Sequence, residues 1–481
     1  MRVWIVVHLT HAILDGLCPR WRTEPAAVLD AGQVLACSPL AAQAGVRPGQ
    51  RAGGVSALCP TASLRSYDAV LHSQYVQDAA LGFLQYTPEV ALLPSDTVAL
   101  EVSASLQLFG GIRALCRRVA ATARGMGMAA RLGVGPTACG AWLLATAPAR
   151  QPRVLTLPTL ARRLDRVPCS RMPEAERHLE WLTGIGCSDL GALRRLPRGA
   201  LQRRTHAALL QALDRAYGEG PELHTWIEAP PVFAGRIELD ENIEHAPDVL
   251  AIAQRLVEQL CGWLAAAHLA ATRVNLTIEH ELGRHACAPT VLDVRLASPA
   301  WIPSRMLPLM AEQLNRLTLA APARAIALQA AQLEPLAPVP TDLFPEAGGS
   351  AADRDHVMAL LVARLGRDHV LHAHPVADHR PDIANRWVPV DEVASSHVYA
   401  VGAVRPSWLL QKPIALLTRG HRPYYGAPLQ IVQGPERIED GWWNGLTVRD
   451  YFVAEAPDGS RYWLYQDRDD PSGWFLHGLF G

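Results

Sequence analysis

The chain has almost no lysine. Lys412 is the single one among 45 basic residues, so arginine carries nearly all the positive charge, a bias that reflects a GC-rich genome more than a function. No apolar run reaches the ~18 residues that a membrane span requires. The opening run Met1–Val7 stops at His8 without a small-residue cleavage site and reads as a buried first strand rather than an export signal. The nine cysteines are odd in number and scattered, with no CxxC pair. That excludes a disulfide framework and a standard zinc site as expectations and points to the reducing cytoplasm.

Charge of one sign is also missing. The formal net charge is −1, yet residues 1–230 hold 24 Arg against 17 acids, residues 231–345 hold 8 against 12, and residues 346–481 hold 13 basic residues against 17 acids. A mildly basic N-terminal half suits nucleic acid but lacks the strong basic face of a tight DNA binder.

At 481 residues the chain has room for three or four domains. It is organised around Ala91–Gly111. Two short apolar strands, 90–93 and 98–102, flank the polar turn Pro94-Ser95-Asp96-Thr97, and Leu108-Phe109-Gly110-Gly111 leads into a helix from Ile112. Asp96 and Glu101 form an Asp-x-x-x-x-Glu pattern beside a glycine turn, a weak signal for a divalent metal. Before this stretch, Val3–Val7 reads as a strand, Ala26–Leu29 and Val34–Ala36 as a hairpin, Ser38–Gln50 as a short helix ended by Gly45, and Tyr67–Tyr86 as a helix with apolar residues from Val70 to Leu84. After it come a helix at Ile112–Arg124, a strand at Ala130–Val134 and a helix at Thr137–Ala147. Strands with helices between them predict an α+β core for residues 1–150.

Residues 151–230 turn helical and arginine-rich. Gly184 and Gly186, in Leu182-Thr183-Gly184-Ile185-Gly186, have the spacing of a helix-hairpin-helix turn, whose glycines expose N–H groups to a DNA phosphate; an ordinary helical hairpin has the same spacing. Residues 231–336 read as βαββαβ. Residues 337–350 form a Pro- and Gly-rich linker holding one apolar pair, Leu343-Phe344, behind Asp342, which suits either a partner-binding peptide or a linker lying on its neighbour. Residues 351–481 open with a helix at Asp353–Leu365. His369, His372, His374 and His379 follow without the spacing of a zinc site and read as strand and loop histidines. From about residue 400 the chain becomes a small β-rich module full of Trp and Tyr, which suit a packed core better than base stacking.

Together these parts resemble a Y-family (DinB/UmuC-type) translesion DNA polymerase over about residues 1–336. Gly45-Val46-Arg47-x-Gly49, Leu58-Cys59-Pro60, Tyr86-Thr87-Pro88, Leu100-Glu101-Val102 and Leu108-Phe109-Gly110 carry the resemblance. It implies palm and fingers (1–150), a helical thumb (151–230) and a little finger (231–336). The departures fall on the chemistry. The resemblance places a metal-binding Asp where His8 stands and an Asp-Glu pair where Asp96 and Thr97 stand. Sugar-site aromatics are replaced by Ala12 and Ile13, and triphosphate-holding side chains by Pro39, Ala42 and Ala138. One carboxylate cannot hold the two magnesium ions of phosphoryl transfer, so no metal or other cofactor is expected.

That pattern resembles the catalytically silent, polymerase-like subunit of bacterial SOS mutasomes. The tail supports it with Arg405-Pro406-x-Trp408-Leu409, Gly434-Pro435-Glu436-Arg437-Ile438, Gly441-Trp442-Trp443, Arg449-Asp450-Tyr451-Phe452 and Trp474–Phe480. The resemblance implies a non-catalytic adaptor of translesion synthesis that links the β sliding clamp, an ImuA-type RecA-like protein and an error-prone C-family DNA polymerase; the basic balance of residues 1–230 against the acidic balance of 231–345 adds an expectation of weak, salt-sensitive DNA binding. Asp342, Leu343 and Phe344 stand where a clamp-binding peptide is expected, with Pro340 in place of its usual Gln. Two other readings stay open: an active Y-family polymerase with an atypical metal site, and a DNA-binding module that works without a clamp.

Overall fold

The computed structural model describes residues 2–18, 20–147, 153–280, 287–336, 351–376, 378–390, 392, 405–440, 447–468 and 473–480. The linker 337–350, with Asp342, Leu343 and Phe344, and the pair Trp442-Trp443 lie outside the described residues. The chain divides into two compact units, Met1–Leu360 and Leu361–Gly481.

The strand Trp4–Leu9 is the centre of the first unit. It pairs antiparallel with Thr97–Glu101 on one side and Ala130–Gly135 on the other, and Val90–Leu93 closes the four-stranded sheet beyond Thr97–Glu101. Its sequence is apolar almost throughout because both faces are covered, and alternate residues serve different layers. Val3, Ile5 and Val7 pack against the helices Ala69–Phe83 and Ile112–Gly125. Trp4 and Val6 pack with the helix Ala138–Thr146 and with the helical region beyond it. Asp68 caps the helix Ala69–Phe83 by accepting the Val70 and Leu71 N–H groups at 2.9 and 3.1 Å. Val70 and Leu71, part of the apolar period in the sequence, are exposed; the buried stripe begins at Tyr75 and Val76.

Beside this sheet lies a small unit in which Ala26–Asp30 pairs antiparallel with Gln33–Cys37 and parallel with Ser63–Ser66. Ser63–Ser66 and the helices Ala12–Leu17 and Ala52–Leu58 are additions to what the sequence indicates. Ala52–Leu58 contains Gly53-Gly54, which argues locally against a helix, and Ser63–Ser66 is exposed along its length, without the alternation that marks a strand. Residues 157–217 form short helices on the Trp4 face, and the chain then returns to the sheet, where the Ile227 N–H donates to the Val90 carbonyl at 2.7 Å.

The βαββαβ order is present as Gly235–Ile243, Ala246–Ala267, Leu269–His280, Thr290–Ala300, Pro303–Asn315 and Ala323–Pro335. The sheet runs Thr290–Ala300, Leu269–His280, Ala323–Pro335, Gly235–Ile243, all neighbours antiparallel. Its long helix lies directly on the helices under the central sheet. Gly262 permits this contact, since a Cβ there would sit 1.9 Å from the Leu81 carbonyl oxygen. Glu258 is buried in the seam, accepting from Thr122 Oγ1 at 3.1 Å and Gln85 Nε2 at 3.3 Å, and burial pushes its carboxyl up from the usual range. The Arg255 guanidinium stacks 4.5 Å from the Tyr75 ring centroid.

In the second unit, Leu371–Pro375 pairs with Asn385–Pro389, and a seven-stranded sheet follows between Trp408 and Leu479. Tyr451 and Trp463 stack in its core with the fully buried His477, and Tyr465 packs edge-on against that histidine. His477 bridges the Tyr451 hydroxyl at 2.9 Å and Asp382 at 2.8 Å. The module is thus β-rich, and these aromatics form its core, as their clustering suggests. Within the first unit, Gly262→Ala should lower the melting temperature, by about 1–3 kcal/mol of lost stability or more, because backbone must move to admit the methyl. Gly53→Ala, whose Cβ meets nothing within 4 Å, should not lower it. Thermal unfolding of the pair checks this; equal losses would contradict the tight seam.

Candidate functional site

His8 sits near the end of the central strand and pairs across the sheet with Thr97. The turn that joins Val90–Leu93 to Thr97–Glu101 holds Ser95 and Asp96 consecutively in the left-handed region, with φ of +58° and +52°. Asp tolerates that conformation better than most residues. Ser95 presents its carbonyl to His8 Nδ1 at 3.0 Å, and Thr97 Oγ1 lies 3.1 Å from the same nitrogen while donating to the Ser95 carbonyl at 2.9 Å. This set suits a neutral ring whose Nδ1–H donates. Burial holds the His8 pKa below the ordinary histidine value, and the Ser95 carbonyl and the Asp96 charge offset part of that shift.

Asp96 turns the other way. Its carboxylate lies 3.0 Å from His72 Nε2 on the helix Ala69–Phe83, and His72 Nδ1 meets the Tyr67 hydroxyl at 3.0 Å. The three sequence-marked residues His8, Asp96 and Thr97 therefore do come together, joined by His72 and Tyr67, which sequence reasoning missed. Among the described residues no group of three or more His, Cys, Asp or Glu side chains converges as a metal site does.

Glu101 is not part of this cluster. Five residues of extended chain place it about 16 Å from Asp96. There it is buried and accepts the Val3 N–H at 3.2 Å together with the Ser103 hydroxyl. The Asp-x-x-x-x-Glu metal reading is corrected accordingly: Glu101 is an anchor for the start of the central strand.

The remaining marked positions are dispersed. Ala12 is buried in the first turn of the helix Ala12–Leu17, and Ile13 packs on the Leu14–Trp21 cluster. Pro39 opens a short helix capped by Ser38, and the Ala42 carbonyl accepts from the Arg47 guanidinium. Ala138 lies toward the opposite end of the sheet from His8, since Gly135 pairs with Trp4 whereas Arg131 pairs with His8. It does not join the His8 cluster. The Ala138 and Cys139 N–H groups donate to the two oxygens of Glu222 at 2.9 and 2.7 Å. A helix N-terminus is an anion-binding end, and here a carboxylate of the same chain fills it. Gly184 and Gly186 are exposed; Gly186 has φ of +76°, and its N–H donates to the Thr183 carbonyl at 3.0 Å, as in a glycine-ended helix. No local sequence pattern marks His72 or Glu222, because each meets its partner far along the chain.

The lowered His8 pKa has a sign. The unfolded imidazole gains its proton near pH 6.5 and the folded one only below that. The contribution to stability is complete above about pH 6.5 and is lost as pH falls toward the folded value. His8→Gln should therefore flatten the acid side of the stability profile between about pH 6.5 and 5. Melting temperature against pH for both proteins checks this; parallel profiles would show that His8 titrates normally.

Residues 11–146 match the impB/mucB/samB family. Solved structures similar to the chain include a Dbh ternary complex with partially disordered substrates, at TM-score 0.39, and a post-insertion binary complex of Dbh DNA polymerase, at TM-score 0.40. Both are 14% identical and cover 68% of this chain and 98% of theirs. Protein ImuB of Caulobacter vibrioides, in two strains, is 26% identical over 475 residues, which is 91% of this chain and the whole of the relative. An impB/mucB/samB match at residues 11–146 thus sits within a chain that is similar to Protein ImuB along nearly its whole length.

Proposed function

We propose that the chain is a polymerase-like, non-catalytic adaptor in DNA-damage-induced mutagenesis. In this reading residues 1–150 are a degenerate palm and fingers, 151–230 a thumb and 231–336 a little finger. The observation that carries it is the state of the His8–Asp96–Thr97 cluster. One carboxylate stands where two-metal phosphoryl transfer needs several, and an imidazole already faces it. The neighbouring position is a neutral histidine hydrogen-bonded to backbone and threonine. The similarity to Protein ImuB supports the role as a whole.

The adaptor reading also names partners: the β sliding clamp, an ImuA-type RecA-like protein and an error-prone C-family DNA polymerase. Asp342, Leu343 and Phe344 are the proposed clamp peptide, and residues 351–481 the proposed surface for the other two. Among the described residues no helix is long and apolar enough to cross a membrane, and the proposed place of work is the cytoplasm.

Two measurements test this reading. The purified chain should show no template-directed primer extension with Mg²⁺ or Mn²⁺; extension that Asp96→Ala abolishes would instead establish an active enzyme. Burying one Leu and one Phe is worth roughly 1.5–3 kcal/mol each, so Leu343→Ala/Phe344→Ala should weaken clamp binding more than a hundredfold. Unchanged clamp affinity in the full chain would remove the peptide from the account.

A further inference from the structure

Between Glu101 and Asp165 the chain has nine arginines and not one Asp or Glu. The fold gathers part of this acid-free block at the outer edge of the central sheet. The strand Ala130–Gly135 is an edge strand, flanked by Ile112–Gly125 on one face and Ala138–Thr146 on the other. A groove of about 970 Å³ opens along it, and Arg117, Arg124, Arg131 and Arg153 line it over an apolar floor that includes Leu132 and Val134. No carboxylate is among its described lining residues.

Arg117 and Arg124 are seven residues apart, two helical turns, so both project from one side of the helix. Each is exposed, as is Arg153 across the groove. The helix itself carries four arginines and no acid, so it has no i,i+4 ion pairs to hold them. A row of like charges destabilises a helix and is neutralised best by an external anion. Four guanidinium groups on two walls suit an extended polyanion better than a single small one, and the planar fork of arginine matches phosphate oxygens.

We infer that this groove is a binding track for a DNA phosphate backbone, on the outer edge of the sheet. It is separate from the helical region on the Trp4 face, which carries Gly184 and Gly186. It deepens the weak DNA binding in the adaptor reading by giving it a location. A chain that has given up chemistry would use such a track to stay on a strand while its partners act.

The test uses the full chain, with fluorescence anisotropy on labelled oligo(dT) and on a duplex of equal length across a salt series. Each phosphate contact contributes about 0.7 to the slope of log affinity against log salt for single strands and about 0.9 for duplex. Arg117→Gln/Arg124→Gln should weaken binding and reduce the slope by about 1.4 on oligo(dT) or about 1.8 on duplex, and the form whose slope falls by its full amount is the one the groove holds. Arg117→Lys/Arg124→Lys should keep most of the affinity, and circular dichroism melting shows that each variant folds. Affinity and slope unchanged in the Gln variant would overturn the proposal. So would retained oligo(dT) binding with lost binding of poly-L-glutamate, which would assign the groove to an acidic protein. The Gln variant should still bind the clamp and still lack primer extension, so failure of the track and failure of the adaptor reading are scored on different assays.

Discussion

The central strand Trp4–Leu9 is the constraint on which the first unit depends. Both of its edges are paired and both of its faces are buried. Its odd-numbered residues hold the helices Ala69–Phe83 and Ile112–Gly125, and Trp4 and Val6 hold Ala138–Thr146 and the helical region. A slip of one residue would exchange these two sets and empty both layers. The same pairing delivers His8 opposite Thr97 and beside the Ser95-Asp96 turn. The scaffold and the candidate site therefore share one strand, and the strand can be kept for packing whatever its last polar position does.

Several carboxylates are held by partners within the protein. Asp96 faces His72, Glu222 takes two helix N–H groups, Glu101 takes the Val3 N–H, and Glu258 lies in the seam under the long helix. Each holds two segments distant in sequence. In a catalytic palm, acids at the end of the central sheet must stay clustered and repelling until cations arrive. Here Asp96 instead faces the His72 imidazole at 3.0 Å.

Much of this was legible from the residues. Strand and helix periods gave the central sheet, the helical stretch, the βαββαβ order and an aromatic β-rich end, because each is set by which face is buried. The Ala12–Leu17 and Ala52–Leu58 helices were not, since one is short and follows the strand by only two residues, and the other contains a glycine pair. At the site, His8, Asp96 and Thr97 were readable as a set only through the resemblance to Y-family polymerases, which aligns them with that family's metal-binding positions; the pairing of His8 with Thr97 across the sheet came with the structure. His72, Tyr67 and Glu222 were not, because their roles arise only when a helix or the returning chain is folded onto the sheet. Ala138 lies away from His8, because an antiparallel neighbour that starts beside His8 must end beside Trp4. The acid-free block that lines the edge groove was hidden by averaging charge over the whole N-terminal half.

The central claim is that the polymerase-like part works without chemistry. It is tested most directly in cells that lack the native protein and carry the Asp96→Ala version at equal abundance. Damage-induced mutation frequency at the wild-type level is the predicted result, since Asp96 then serves only its contact with His72. A collapse to the level of cells without the protein, with the variant folded and present, would show that this carboxylate takes part in a reaction.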